Sequence, residues 1–323
     1  MGRTFTNDFS WSKSRHEKFS ECLRAYYLHY YFSWGGWESG AHPDAKEAWL
    51  LKKLTNRFAW VGTVVHDHIR DALLAIQAGR QPTLAHTLDH ARNVMRGDYR
   101  HSRAQGYRKT KWRKEFTGFL EHEYREDVDD AAWKRAWANA EEALTWFFAQ
   151  SRWPELARGL RPEQWIEVDA GFESGTFTLE GVKVFAVPDF VYRADDGHLV
   201  VVDWKTGSGR DGYDAQVLGY ALYLADKYRV DPTSVEAQLV YLNGGTEAEV
   251  HVDQASIATF RTHFANSVGT MRGLLEDPVR NLAKPMEAFA QTSDPVACGR
   301  CNFRRLCGRE AMVAGDGPRS SEA

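Results

Sequence analysis

The chain has 323 residues, 43% hydrophobic and 13% aromatic, enough for one large domain or two modest ones around a sizeable core. A formal net charge of −3 excludes a global polybasic signature, so any polyanion must be met by local patches. The absence of a run of about eighteen apolar residues excludes a transmembrane helix, and no membrane partner is expected. The start, MGRTFTNDFSWSKSR, lacks the apolar centre of a secretory signal, which makes a cytoplasmic location the expectation. In such a chain Cys22, Cys298, Cys301 and Cys307 do not read as a disulfide framework. Four thiolates suit one tetrahedral metal or one cluster.

Residues 7–34 read as a polar start leading into a helix, with Cys22, Tyr26, Tyr27 and Tyr30 at spacings that share a face. Residues 35–46 form a loop. Residues 47–78 carry helical periodicity, broken near Thr55-Asn56, and Val61 to His68 opens a helix running to Ile76. His66 lies in it. By itself, a histidine on an apolar helix face is more often a core residue than a ligand. Residues 80–160 read as entirely helical, with Asp129 to Gln150 strongly amphipathic. Within that block, residues 99–114 (YRHSRAQGYRKTKWRK) hold seven Lys or Arg and no acid. Arg100, Arg103, Arg108, Lys109, Lys111, Arg113 and Lys114, with Trp112, form a candidate DNA-binding run, since cations meet phosphates and aromatics stack on unpaired bases. The competing reading is a solvated basic loop paired with the acidic stretch Glu121 to Asp130.

From Arg161 the pattern changes to period two. Gln164 to Phe172 and Thr176 to Leu179 read as strands. Val182 to Arg193 reads as one strand, Ala194 to Gly197 as a turn, and His198 to Trp204 as the return strand. Asp214 to Tyr228 reads as a helix, Val235 to Leu242 and Glu247 to Val252 as strands, and Asp253 to Glu276 as a long helix. This alternation predicts an α/β fold with a mixed sheet. Residues 315–323 read as a polar, disordered tail.

Three constellations carry chemistry. Asp203 and Lys205 are two apart and share a strand face, and Asp189 on the partner strand can face the same pocket. Close carboxylates gain by sharing Mg²⁺ or Mn²⁺, to which the Trp204 carbonyl could add an oxygen. Such a metal polarises a phosphodiester, and the lysine offsets developing negative charge. Gln216 and Tyr220 are four apart on one helix face just after that strand. Cys298-x₂-Cys301-x₅-Cys307, with Cys22 as fourth thiol, allows either zinc or a [4Fe–4S] cluster.

Together these residues resemble the PD-(D/E)XK nuclease superfamily, in the branch of RecB-type exonuclease domains, the AddB nuclease domain and the CRISPR-associated nucleases that trim new spacers. The resemblance rests on six motifs in order. They are Cys22 with Tyr26, Gly62-x₃-His66, Pro188-Asp189, Asp203-x-Lys205 with Thr206-Gly207, Gln216-x₃-Tyr220, and the final three cysteines. It implies a restriction-endonuclease-like core and a metal-dependent deoxyribonuclease, acting as an exonuclease on DNA ends or single strands in repair, recombination or antiviral defence. His66, Asp189 and Asp203 would be metal ligands, Lys205 the catalytic lysine, and Gln216 and Tyr220 would line the site. Glu167 resembles an acid that some members carry near the site. The four cysteines would hold a [4Fe–4S] cluster, with zinc as the other occupant. Many members have Gly before the motif aspartate and Pro after the first cluster cysteine, where this chain has Pro188 and Leu23.

The implied domains are 1–66 (N-terminal helices with the first cysteine and the start of the histidine helix), 67–160 (a helical, DNA-guiding insertion), 161–277 (nuclease core), 278–312 (cluster segment) and 313–323 (tail). No Gly-x₄-Gly-Lys-Ser/Thr is present, so a helicase or other nucleic-acid-processing subunit would be a separate partner beside DNA. The alternative is a catalytically inactive DNA-binding or scaffold protein of the same fold.

Overall fold

The computed structural model describes residues 6–109, 117–169, 171, 175–207 and 213–310. Two compact units result, each assembled from separated stretches of chain. One comprises residues 55–177 and 186–260, the other residues 1–54, 178–185 and 261–323. No helix among the described residues is long and apolar enough to cross a membrane.

The first unit is built on a five-stranded mixed sheet. Its spatial order is Trp165–Val168, Phe190–Arg193, Leu199–Lys205, Glu236–Tyr241 and Thr246–Val250. Only the Leu199–Lys205 and Glu236–Tyr241 pair is parallel, and the helix Tyr213–Tyr228 makes the crossover that a parallel pair requires. Leu199–Lys205 has side chains of different character on its two faces. Val200, Val202 and Trp204 enter an apolar core with Val61, Val64, Val65, Phe147 and Trp153, drawn from the helices Arg57–Gln77, Asp130–Ala149 and Trp153–Gly159. The Trp204 ring meets Phe147 and Trp153 edge-on at 5.6 and 5.3 Å. Asp203 and Lys205 consequently point to the opposite face. A slip of one residue would drive both charges into the tryptophan core, so this burial fixes the register.

The expected hairpin forms between Phe190–Arg193 and Leu199–Lys205, with Gly197 at φ +97 in its turn. Val182 to Arg193 is not one strand, however. Val182–Phe185 pairs in parallel with Ser10–Trp11 in a separate three-stranded sheet, and regular pairing stops at Ala186 to Asp189. Pro188 is the cause: it has no N–H for a ladder and holds Val187 extended. The helical block from 80 to 160 is likewise interrupted, into Leu84–Arg103, Gly106–Lys109, Leu120–Glu123, Asp130–Ala149 and Trp153–Gly159. Pro43–Leu51 is a helix whose first residues lie in the expected loop. The expected tail lies outside the described residues.

The helix Arg57–Gln77 begins four residues before the expected start at Val61, because Asn56 caps it. The Asn56 side chain accepts from the Ala59 N–H at 2.9 Å. Asn56→Ala is expected to lower stability by about 1 kcal/mol and to fray the turn ahead of Gly62, measured by urea denaturation and amide exchange.

In the second unit the amino-terminal segment does not run as one helix. Lys13–Glu21 and Leu23–Tyr27 are helices, and a π-helical turn follows at Leu28–Phe32. Cys22 sits between the two helices in extended backbone, φ −162 and ψ 116, so it leaves the face that helical spacing assigned it with the tyrosines. Arg15, 3% exposed, stacks against Phe9, Tyr26, Tyr30 and Tyr31 and donates to the Tyr26 and Tyr31 hydroxyls.

Candidate active site

The sheet face opposite the tryptophan core carries a closed ring of side chains. Lys205 Nζ lies 2.5 Å from Asp203 Oδ2 and donates to Gln216 Oε1 at 2.9 Å. Gln216 Nε2 donates to the Tyr220 hydroxyl at 2.5 Å, and that hydroxyl donates to Asp203 Oδ1 at 3.3 Å. Strand alternation puts Asp203 and Lys205 on one side, and the four-residue helical repeat puts Gln216 and Tyr220 above them. Asp189, at the bend before its strand, adjoins this ring. Its Oδ1 accepts from His66 Nδ1 at 3.0 Å and its Oδ2 from the Trp204 N–H at 2.8 Å. The sequence pointed to the Trp204 carbonyl, whereas the contact with Asp189 is made by the N–H. The His66 helix reaches the same strand end, where a Cβ on Gly62 would lie 3.4 Å from Thr206 Oγ1.

Burial sets the electrostatics. Asp203 is 2% exposed. Burial pushes its carboxyl above the usual carboxylate range, Lys205 pulls it back, and Asp189 pushes it up again. Tyr220 is pushed far up by burial and by Asp203 and Asp189, which keeps it a hydroxyl donor. Burial disfavours charge on His66, yet Asp189, through charge and hydrogen bond, together with Asp203 raises it above an ordinary histidine. Asp203 Oδ2 is buried, with the Lys205 ammonium 2.5 Å away. A buried carboxylate beside a second carboxylate and an imidazole is a donor set that fits a hard divalent cation. In the present arrangement protein donors occupy these groups, and among the described residues no three His, Cys, Asp or Glu side chains are close enough to hold a metal.

The family model of the PD-(D/E)XK nuclease superfamily matches residues 10–308. The chain belongs to that superfamily. No curated protein matches the chain. The match spans the Pro188-Asp189 and Asp203-x-Lys205 segments that the fold brings together, and the mixed α/β architecture agrees with a restriction-endonuclease-like core. A nuclease of this superfamily takes nucleic acid as its substrate and typically uses divalent metal.

Glu167 does not join the ring of Asp203, Lys205, Gln216 and Tyr220. Its buried carboxylate faces Tyr223, Lys227 and Tyr228 of the helix Tyr213–Tyr228. Sequence reasoning missed these three, although Tyr223 and Lys227 continue the helical stripe through Gln216 and Tyr220.

The cysteines form a second constellation. All four are free thiols. Cys301 and Cys307 each lie within electrostatic reach of Cys22, and Cys307 also of Cys298. Arg24 joins the chain ends here, its N–H donating to Ala290 O at 3.1 Å and its Nε to Phe289 O at 2.9 Å. Asn302 donates to Leu51 O and Leu54 O at 2.7 and 2.8 Å. The Phe303 N–H donates to Cys301 Sγ at 3.3 Å, and Arg309 Nη1 to Cys298 Sγ at 2.7 Å. Burial pushes the Cys301 thiol up to about 12 and Cys307 upward as well. Gathered thiols with amide and guanidinium donors on their sulfurs suit a group that binds thiolates, although their present positions do not reach ligand geometry.

The basic run is divided. Arg108 pairs with the buried Glu123 through Nε at 2.7 Å and Nη2 at 2.5 Å, and the Tyr107 hydroxyl donates to the same carboxylate. Arg108 is thus part of the structural link to the acidic stretch. Arg100, Arg103 and Lys109 are exposed, with Arg103 donating to the Tyr99 hydroxyl and Lys109 to Ala104 O. Lys111, Trp112, Arg113 and Lys114 lie outside the described residues.

Proposed function

We propose that the chain is a divalent-metal-dependent deoxyribonuclease that degrades DNA from ends or single strands, in repair, recombination or defence, with a [4Fe–4S] cluster held by Cys22, Cys298, Cys301 and Cys307. The observation that carries this reading is the closed ring of Asp203, Lys205, Gln216 and Tyr220 beside the His66–Asp189 pair. His66, Asp189 and Asp203, with the Trp204 carbonyl, would hold Mg²⁺ or Mn²⁺, which supplies Lewis-acid polarisation of the phosphodiester. Gln216 fixes the Lys205 ammonium, which then offsets charge developing on the phosphate oxygens. Tyr220, kept protonated by its buried acidic surroundings, holds Asp203 in place. Arg100, Arg103 and Lys109, with 111–114, supply a sequence-independent approach for the DNA backbone. Arg108 acts there by bracing the segment against Glu123. The helical block 67–160 guides the strand, and residues 278–312 carry the cluster. An associated helicase would deliver unwound strands.

The test is cleavage of end-labelled linear DNA and of covalently closed circles, each with Mg²⁺ or Mn²⁺ and with chelator. Linear DNA should be lost only with metal, while circles persist. Rapid nicking of circles would replace the exonuclease reading by an endonuclease one, and cleavage in chelator would remove the metal from the mechanism.

A further inference from the structure

Glu167 is a buried carboxylate that the proposed chemistry leaves unused. Its side chain is 3% exposed, on the edge strand Trp165–Val168. Its Oε1 accepts from the Tyr223 hydroxyl at 2.9 Å, Lys227 Nζ at 2.7 Å and the Tyr228 hydroxyl at 2.6 Å. Its Oε2 accepts a second contact from Tyr223 at 3.0 Å, and Lys227 Nζ also donates to that hydroxyl at 2.6 Å. All three donors occupy the last turns of the helix whose first turns carry Gln216 and Tyr220.

We propose that Glu167 is a positioning residue, a clamp that sets the rotation and axial position of the helix Tyr213–Tyr228 so that Gln216 and Tyr220 reach Lys205 and Asp203. The proposal rests on the nuclease reading above. Residues 216, 220, 223 and 227 form one stripe at helical spacing, so a contact at 223 and 227 fixes the azimuth of 216 and 220. The same strand also governs Asp189. Glu167 is opposite Val191 and Val168 opposite Phe190 in the ladder, and the Asp169 N–H donates to the Asp189 carbonyl at 3.0 Å. One carboxylate thus connects the strand end that places Asp189 to the helix that places Gln216 and Tyr220. Hydrogen bonds to a charged, desolvated acceptor are the strong ones, and three donors on one helix end leave it little freedom. A displacement of about 1 Å at a reacting centre is enough to cost about a hundredfold in rate.

The test pairs steady-state cleavage of end-labelled DNA with amide exchange over Gln216–Tyr220, for wild type, Glu167→Ala, Glu167→Gln and Tyr228→Phe. Glu167→Ala should lower kcat by about a hundredfold, keep KM within about threefold, and speed exchange at those amides. Glu167→Gln, which keeps an acceptor oxygen, should recover part of both. Tyr228→Phe removes one donor from the half-buried side, so it should shift both in the same direction by less, and it is read in place of Glu167→Ala if that variant does not fold. A loss of kcat with wild-type exchange overturns the clamp and moves Glu167 to the reaction itself. Faster exchange with wild-type kcat overturns it too. If the wild type cleaves no DNA, the nuclease reading fails by itself, and the exchange arm still decides the clamp: unchanged protection in Glu167→Ala and Tyr228→Phe rejects it.

Discussion

Lys205→Ala is expected to lower DNA cleavage by about a thousandfold while leaving DNA binding close to wild type. The ammonium is one preorganised cation aimed at charge that develops in the transition state, and removing one such donor typically costs about 10²–10³ in kcat. The same change strands Asp203. That carboxylate is 2% exposed, already pushed up by burial, and loses the nearest opposing charge. Breaking a buried pair from one side costs about 3–5 kcal/mol, so the variant should also melt earlier. Adding Asp203→Asn to Lys205→Ala should restore most of the lost stability and none of the activity. That double variant isolates the stability effect: a Tm that stays low would show that the loss in Lys205→Ala does not come from the stranded Asp203 carboxylate. Retained cleavage in the single variant would remove Lys205 from the chemistry altogether.

If the four thiols hold the proposed cluster, Cys301→Ala should abolish its binding and destabilise the unit that contains it. The thiols of Cys22 and Cys298 are separated by roughly 275 residues of chain. Closing a loop of that size by a cross-link stabilises the folded state by about 5.6 kcal/mol on the chain-entropy argument. Purified under anaerobic conditions, the wild type should be brown and carry iron and sulfide, while the variant should be colourless with a lower Tm. Zinc in place of iron would replace the cluster reading and leave the nuclease reading intact. Unchanged metal content and Tm in the variant would show that the thiols bind no group.

Much of the candidate site was legible because strand and helix repeats are rigid rulers. Two residues apart on a strand bring Asp203 beside Lys205, and four apart on a helix bring Gln216 beside Tyr220. Long-range partners were legible only through the order of motifs, as with His66 and Asp189, which lie 123 positions apart and meet at 3.0 Å. What the periodicity misread came from local backbone chemistry. Pro188 splits what reads as one strand, and Cys22 lies extended where spacing suggests a continuous helix. The partners of Glu167 were not legible for another reason. Residues on an edge strand can face a helix anywhere along its length, and only the three-dimensional path shows that Tyr223, Lys227 and Tyr228 meet it. Arg108 shows the same limit for charge runs: composition left a DNA contact and a pairing with the acidic stretch both open, and Arg108 pairs with Glu123.

The division of the chain between its two units has a consequence for biosynthesis. Residues 1–54 leave the ribosome before the rest of this chain, yet their unit also needs residues 178–185 and 261–323. Residues 55–177 and 186–260 make up the other unit, so that unit has its full sequence while the last stretch is still being translated. At about 5–20 residues per second, Cys22 waits roughly 14–55 s for Cys298 to be made. Over that interval the amino-terminal helices, with the Arg15 cage and a lone thiol, are nascent chain without the partners that complete them. Residues 1–54 can therefore complete their unit only after residues 55–177 and 186–260 have been made, and a truncation at residue 260 should leave that segment, rather than the five-stranded sheet, exposed to protease.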